Sequence, residues 1–354
     1  MTASLALIGR ELHLAAYPEG PVRPSDFATV EVELSGLQPG EVLVRNTWMS
    51  IDPGLRLRLR PESPDGYFPA LALGSPIDGV MTVGEVVASR ADGFRVGDHV
   101  SHGLGWREYS VVAAGREMIG GIGTLRRIDT TLAPPKAYLS YLGGTGLTAY
   151  AGTFHVAGLR AGDVVWVSAA GGAVGTLAAQ LAKIRGHRVI GSAGSDAKVS
   201  YLLDELGLDA AFNYKTAPVA DLLREAAPEG IDVYFDNVGQ GHLEAALDAL
   251  RPFGRVAMCG TISEYDSATG PRGPRNLFLA VAKELTLRGF RGNTYVHLLP
   301  QLWRDVGGWL REGRIKATET VVDGLANAPI AMARMMRGET SGKTLVWIAT
   351  DATR

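Results

Sequence analysis

The sequence predicts an α/β protein of two domains, one built from short β-strands and the other a doubly wound parallel sheet. Three observations carry this. The chain has 354 residues, more than a single core usually supports. Its first ~135 residues are short apolar alternations such as "EVLVRNTWMSID", "VMTVGEVVAS" and "REYSVVAAG", punctuated by Gly and Pro, the pattern of an all-β unit. From Tyr138 onward, apolar strands alternate with helical segments.

In chain order, the second region offers strands in "DVVWVSAA", "HRVIGSA", "AAFNY", "IDVYFDNVG", "GRVAMCGT" and "LTLRGF". Helices are expected between them, in "DAKVSYLLDELG", "VADLLREAA" and "GHLEAALDALR". That alternation is a doubly wound sheet of about six strands. The helix "LLPQLWRDVGGWLREG" follows, and the tail from Thr318 returns to strand, helix, strand. One window, Val164–Ala182, runs 19 residues without a charge, near the length of a membrane span. A β-branched run, a Gly cluster and then Leu177, Leu181 and Ile184 at helical spacing make it a buried strand, a turn and a helix instead. The Gly/Pro-rich stretch "SATGPRGPRN", Ser267 to Asn276, is the candidate mobile loop.

Composition narrows the partners. Lys plus Arg (35) nearly balance Asp plus Glu (37), and neither sign forms a long block, so no nucleic-acid or membrane footprint is expected. The most basic run, "RLRLR" at Arg56–Arg60, alternates with Leu and is expected to be ordered and partly buried. A single cysteine cannot form an internal disulfide, and the first residues lack an export signal, so a cytoplasmic setting is the default. Catalytic zinc needs three protein ligands, and a structural zinc lobe needs four cysteines. With one Cys and seven scattered histidines, of which only His99 and His102 are close, no metal site is expected; those two are taken as exposed polar residues. Cys259 is expected to be a small buried hydrophobe at a strand end rather than a nucleophile.

The chemistry that remains is dinucleotide chemistry. "AGGAVG" at Ala170–Gly175 has the spacing of the dinucleotide fingerprint, with Ala at its first glycine. Gly172 lets the backbone approach a pyrophosphate, Gly175 lets helix and strand pack closely, and the N–H groups that open the helix, at Ala173 and Val174, face the phosphates. The second strand ends in the small, neutral Ser192, Ala193 and Gly194, with no acidic residue to hold a ribose 2'-hydroxyl. Asp196 is the NAD-favouring rival but is expected to be the N-cap of the next helix. Lys198 follows on the first turn, where a cation suits a 2'-phosphate, so NADPH is the favoured cofactor. Tyr214, ending the third strand, falls near the same adenosine end.

Taken together, "NTWMSIDPGLRLRL", "GLGWREYSVV", "GGTGLTAYAGT", "VSAAGGAVGTLAAQLAKIRGHRVIGSAGSDAKVSYL", "FNYK", "YFDNVG", "FGRVAMCGTISEYD", "LRGFRGN" and "RGETSGKTLV" span nearly the whole chain. The chain resembles the zinc-independent branch of the medium-chain dehydrogenase/reductases, in the group of prostaglandin reductases, alkenal (enone) double-bond reductases and bacterial curcumin reductase. The resemblance implies a GroES-like catalytic and substrate domain over residues 1–137 and 319–354, with an NADP-binding Rossmann domain, residues 138–318, inserted into it. It implies an NADPH-dependent reduction of the C=C bond of α,β-unsaturated ketones and aldehydes, and a homodimer. Lys198 and Tyr214 would hold the 2'-phosphate and Asn237 the cofactor near the strand end. Cys259, Gly260, Thr261, Ile262, Ser263 and Tyr265, together with Phe290, Arg291, Gly292 and Asn293, would wrap the nicotinamide half. Thr148 would lie beneath it and Ser341 near the other end.

Hydride addition to the β-carbon of an enone leaves an enolate that needs a hydrogen-bond donor. Tyr265 fits the family's position for that donor, and the cofactor's ribose hydroxyl is the other candidate. One departure bears on substrate: Gly54 stands where the family usually carries tyrosine, which is expected to enlarge or reshape the pocket. Tyr67 and Trp106 are further candidate pocket residues. An NADPH quinone oxidoreductase and a non-catalytic, crystallin-like NADPH-binding protein remain the alternatives.

Overall fold

A computed structural model describes residues 7–34, 36–267 and 273–348. Half of the loop expected to be mobile, residues 268–272, therefore lies outside the described residues. Two compact units are present. One comprises the described residues of Met1–Gly144, Thr320–Glu339 and Thr344–Arg354; the other comprises Thr145–Glu319 and Thr340–Lys343.

The first unit is mainly β. Strands β1 (Leu7–Leu14) and β2 (Phe27–Leu34) form an antiparallel ribbon. Then come β3 (Glu41–Ile51), β4 (Thr82–Ser89), β5 (His99–His102), β6 (Tyr109–Ala113) and β7 (Arg126–Arg127). These make a seven-stranded sheet with the tail strands Glu319–Asp323 and Lys343–Trp347, the latter lying beside β3. β3 changes face along its length. Val42, Val44 and Asn46 are buried at even positions, whereas Met49 and Ile51 are buried at odd ones. The switch coincides with a register shift between Asn46 and Trp48 opposite β4. One extra residue in a strand rotates every later side chain to the other face, so β3 feeds two cores. Val42 and Val44 join Val86, Val100 and Val112, while Met49 and Ile51 join Leu14, Phe27, Ile77, Trp106 and Met332. As expected, Arg56 is ordered within the 3-10 helix Pro53–Arg58; it is 3% exposed and donates to the Gly20 carbonyl at 2.9 Å.

His102 departs from expectation. It is fully buried rather than exposed, with Nε2 3.0 Å from Asn46 Oδ1 and Nδ1 accepting from the Leu104 N–H at 3.1 Å. That acceptor role leaves the proton on Nε2, and burial with nearby Arg107 pushes the ring's pKa down to about 3. Asn46 faces inward with Val42 and Val44, ahead of the register shift, and meets it there.

The second unit is the doubly wound sheet. Its strands β8 (Val164–Val167), β9 (Arg188–Ala193), β10 (Ala210–Asn213), β11 (Ile231–Asp236), β12 (Leu250–Met258) and β13 (Thr286–Gly289) are all parallel, in spatial order β10-β9-β8-β11-β12-β13. The order reverses between β8 and β11, which places the ligand crevice at the carboxyl ends of those two strands. Around the sheet run α1 (Gly144–Ala151), α2 (Ala173–Ile184), α3 (Asp196–Ser200), α4 (Val219–Ala226) and α5 (Gln240–Ala249). The apolar window 164–182 resolves into β8, a turn and α2, and among the described residues no helix is long and apolar enough to cross a membrane. Trp166 centres the core, stacked on Tyr234 at 4.3 Å and on His242 at 5.8 Å. The helix expected over "DAKVSYLLDELG" is α3 continued by a π-helical turn, Tyr201–Glu205.

Candidate active site

The fingerprint loop lies between β8 and α2. Gly172 is the N-cap of α2, so the N–H groups of Ala173, Val174 and Gly175 open the helix without helical acceptors. They form an anion site at the positive end of the helix dipole. A Cβ at Gly175 would strike the Ala169 carbonyl and stand 2.8 Å from Ala170 Cα, so this glycine is what lets helix and strand meet. Ala170 fits the first-glycine position because the left-handed backbone falls one residue earlier, at Ala169 with φ +47°. The tail closes the loop from behind: Gly342 N donates to the Gly171 carbonyl at 2.9 Å, which sets half-buried Ser341 beside the fingerprint.

At the end of β9 the helix cap differs from expectation. Ser195, not Asp196, is the N-cap of α3: its extended backbone (φ −160°, ψ 153°) lets its Oγ accept from Lys198 N at 3.4 Å. Asp196 is the first helical residue and instead accepts from Asn213 Nδ2 at 2.8 Å. The side chain of Lys198 packs over Gly171, its Cδ 3.0 Å from where a Cβ would be. Tyr214 leans over Gly194, its Oη 2.9 Å from the Cβ position there. Lys215, absent from the expected set, places its Nζ 6.0 Å from the Tyr214 ring. Burial and the charge of Lys215 push the Lys198 amine below the ordinary lysine range. Half-buried Lys198 and exposed Lys215, near enough for their charges to interact, are suited to a phosphate dianion. The only sequence signal for Lys215 was its adjacency to Tyr214.

At the end of β11, Asp236 is fully buried. Its Oδ1 accepts from Tyr234 Oη (2.7 Å), Val238 N (2.9 Å) and Gly239 N (2.8 Å), and burial raises its carboxyl pKa. The Asp236 carbonyl accepts from Cys259 N and Gly260 N at 2.8 and 3.1 Å. Asn237 is fixed by Ser168, its N–H on Ser168 Oγ at 3.0 Å and its Nδ2 on the Ser168 carbonyl at 2.8 Å. Cys259, one residue past the end of β12, is half-buried rather than buried as expected; its thiol is nevertheless pushed up to about 12, mainly by desolvation and then by Asp236. Beyond it, Ile262 N donates to the Asn237 carbonyl at 3.2 Å, and Ser263 Oγ to the Val238 carbonyl at 2.6 Å. Thr261 lies 2.9 Å from the Cβ position of left-handed Gly239. The 3-10 turn Ile262–Glu264 then folds Tyr265 back, its Oη 2.9 Å from where a Cβ of Gly260 would stand. Tyr265 is half-buried, and its hydroxyl lies in the space a side chain at 260 would need.

After β13, Phe290 N donates to the Met258 carbonyl at 3.3 Å, and its ring meets Phe235 edge-on at 6.2 Å. A Cβ on Gly292 would collide with Thr148 Oγ1, so this glycine lets residues 290–293 approach α1; Arg291 is exposed and Asn293 half-buried. Thus Thr148, the fingerprint, Lys198, Tyr214, Asn237, 259–265, 290–293 and Ser341 all belong to one unit. Gly54 and Tyr67 belong to the other, where they touch each other. Trp106 is a correction: it is fully buried, stacked on Phe27 at 5.1 Å within the core, and offers no face to a ligand. The positive φ of 59° at this residue turns the indole inward. Among the described residues no group of three or more His, Cys, Asp or Glu is arranged to hold a metal ion.

Comparison with known proteins agrees with this architecture. Residues 10–119 match the family described as N-terminal domain of oxidoreductase, and residues 173–309 the family described as zinc-binding dehydrogenase. The 2-alkenal reductase (NADP(+)-dependent) of Nicotiana tabacum is 36% identical over 346 residues, 97% of this chain and 98% of that one. Prostaglandin reductase 1 of Sus scrofa is 37% identical over 340 residues, 94% of this chain and 96% of that one. The crystal structure of CurA in complex with NADPH from Vibrio vulnificus superposes with a TM-score of 0.88 at 31% identity, covering 97% of this chain and all of that one. The chain therefore belongs to the medium-chain dehydrogenase/reductase family, among the relatives of the alkenal and prostaglandin reductases.

Proposed function

We propose that this protein is an NADPH-dependent reductase of the C=C bond of α,β-unsaturated ketones and aldehydes, working without zinc. The observation that carries the cofactor choice is the pair Lys198 and Lys215 at the carboxyl end of the sheet, beside three open N–H groups. The residues fit the dinucleotide: Ala173, Val174 and Gly175 donate to the pyrophosphate, with Gly172 giving the backbone room. Lys198, Lys215 and Tyr214 take the 2'-phosphate, and Ser341 flanks the phosphate loop. Asn237 and residues 259–263 floor the nicotinamide half, with Thr148 and residues 290–293 completing it. Bound NADPH supplies a hydride to the β-carbon of the enone. The Tyr265 hydroxyl donates a hydrogen bond to the enolate oxygen that develops, the role a Lewis acid plays in zinc enzymes. Nucleophilic catalysis at half-buried Cys259 is disfavoured by its raised thiol pKa.

The names of the relatives, an alkenal reductase and a prostaglandin reductase, support the same reaction class. The test is a panel of enones, enals and quinones with NADPH, read by cofactor absorbance and product identity. Saturated carbonyl products support the proposal. Turnover of quinones alone makes the protein a quinone oxidoreductase, and tight NADPH binding with no turnover makes it a crystallin-like binder.

We further propose a cytoplasmic homodimer. Beside the edge strand β13, Leu277, Phe278 and Val281 are 51%, 76% and 69% exposed, a cluster of large apolar side chains suited to a second copy. Phe278→Ser is expected to halve the mass seen by light scattering. An unchanged dimer would place the interface elsewhere, and a monomeric wild type would remove it.

A further inference from the structure

We propose that the second unit carries a further small-molecule site, at the edge of its sheet opposite the cofactor crevice, that takes a small aromatic carboxylate. A cavity of about 430 Å³ lies there, lined by Tyr150, Phe154, His155, Arg185, His187 and Gln301. Small-ligand pockets run from roughly 300 to 1,000 Å³, so it is of ligand size. All six residues belong to the unit of the doubly wound sheet. Tyr150 is in the last turn of α1, and Phe154 and His155 lie on the π-helical turn Gly152–Val156 that continues it. The Ala157 N–H donates to the Gly152 carbonyl at 2.9 Å, the long-reach bond of such a turn, a device that recurs at functional sites. Gly152 seats this turn on the sheet, since a Cβ there would stand 2.5 Å from the Phe235 ring and 2.6 Å from that of Phe290. Arg185 is the C-cap of α2, His187 immediately precedes β9, and Gln301 is on the helix Leu299–Arg311. Val164 and Arg188 pair at the starts of β8 and β9, so the cavity lies at the amino ends of strands whose carboxyl ends face the dinucleotide crevice.

The lining selects the ligand. No carboxylate lines the cavity among the described residues, whereas an arginine and two histidines do. The nearby acid, Asp305, is already engaged: its Oδ2 accepts from Tyr150 Oη at 2.6 Å and its Oδ1 from Arg304 Nε at 3.3 Å. The Arg185 guanidinium is exposed and sits over the Phe154 ring at 5.0 Å, with no ion pair among the described residues. Stacking of this kind orients a guanidinium and leaves the N–H donors at its edge for a bidentate oxyanion. His187 supplies the second polar group. It is 7% exposed, and its Nδ1 is shut off from solvent with no hydrogen-bond partner. An unpaired N–H buried there would be costly, so the proton belongs on Nε2, the nitrogen that keeps solvent access. The rest of the wall is aromatic: Tyr150 meets Phe154 edge-on at 4.9 Å and lies 6.2 Å from the His155 ring. Cationic and N–H donors beside aromatic faces match one ring carrying one carboxylate. The assignment is independent of the reaction proposed above.

Calorimetric titration of 2-naphthoate into the full-length protein, alone and with saturating NADPH, tests this. Wild type is expected to bind in both conditions with a Kd of about 1 mM or tighter. Arg185→Gln is expected to weaken binding about tenfold or more, with NADPH Kd and Tm unchanged. Ala161→Trp, at an exposed position on the cavity wall, fills the space without changing charge and is expected to abolish binding. Inorganic phosphate and 2-naphthylmethylamine, which lack the ring and the negative charge respectively, are each expected to bind at least about tenfold more weakly than naphthoate. No binding by wild type would overturn the site, and so would equal affinity in Arg185→Gln or Ala161→Trp. Equal binding of the amine would overturn the anion preference, and equal binding of phosphate the aromatic one. Naphthoate binding that disappears when NADPH is added would place the acid in the cofactor crevice instead.

Discussion

Lys198→Ala tests the cofactor assignment at its most specific point. NADPH differs from NADH by a 2'-phosphate carrying close to two negative charges at pH 7. At about 4 Å and an effective permittivity near 20, one charge pair is worth roughly 4 kcal/mol before desolvation. Lys198 is half-buried, so solvent screens part of this, and a charge-assisted hydrogen bond nets about 1.5–3 kcal/mol. The expected loss is therefore roughly 10- to 150-fold in NADPH Kd, with NADH changed less than about twofold. Lys215 remains in the variant and keeps part of the preference. Fluorescence titration of both cofactors at two salt concentrations measures it, and salt is expected to weaken NADPH more in wild type than in the variant. The pH sign follows from the lowered Lys198 pKa. The ammonium form binds the phosphate, so the NADPH preference falls as pH rises through a value below the ordinary lysine range. Equal losses for NADPH and NADH would refute the assignment.

Two further outcomes follow from the geometry. Tyr265→Phe is expected to lower kcat about 10²- to 10³-fold while NADPH Kd moves less than about twofold, because the lost hydroxyl acts only on the developing enolate. Unchanged turnover in stopped-flow or steady-state assays would leave the ribose hydroxyl as donor. His242→Phe is expected to stabilise the protein in acid. Burial lowers the His242 pKa to about 4, so between that value and 6.5 the unfolded state binds more protons and stability falls as pH drops. The slope is about 1.4 kcal/mol per pH unit, or about 3 kcal/mol across the window. The ring stacks on Trp166 with its Nε2 buried and unpartnered, so phenylalanine keeps the stack and removes the titration. An unchanged slope in urea melts across that range would show that other groups control acid unfolding.

Where the sequence was informative, periodicity and glycine spacing made it so. The parallel strands are near-continuous apolar runs, and "AGGAVG" marks the loop because close backbone approach tolerates few residue types there. Non-local effects were not legible. The meeting of buried Asn46 on β3 with buried His102 on β5 depends on how both strands pair with β4, and Trp106 reads as a pocket residue until the structure places it in the core. Ser195 and Asp196 are both good caps by residue type, and only the backbone turn and the pull of Asn213 separate them.

The central claim, hydride delivery to the β-carbon of an enone, is tested most directly with NADPH deuterated at the transferred position and a simple enone. The account predicts a saturated ketone carrying deuterium on the β-carbon, with the α-proton taken from solvent. Deuterium on the carbonyl carbon of an allylic alcohol would contradict it.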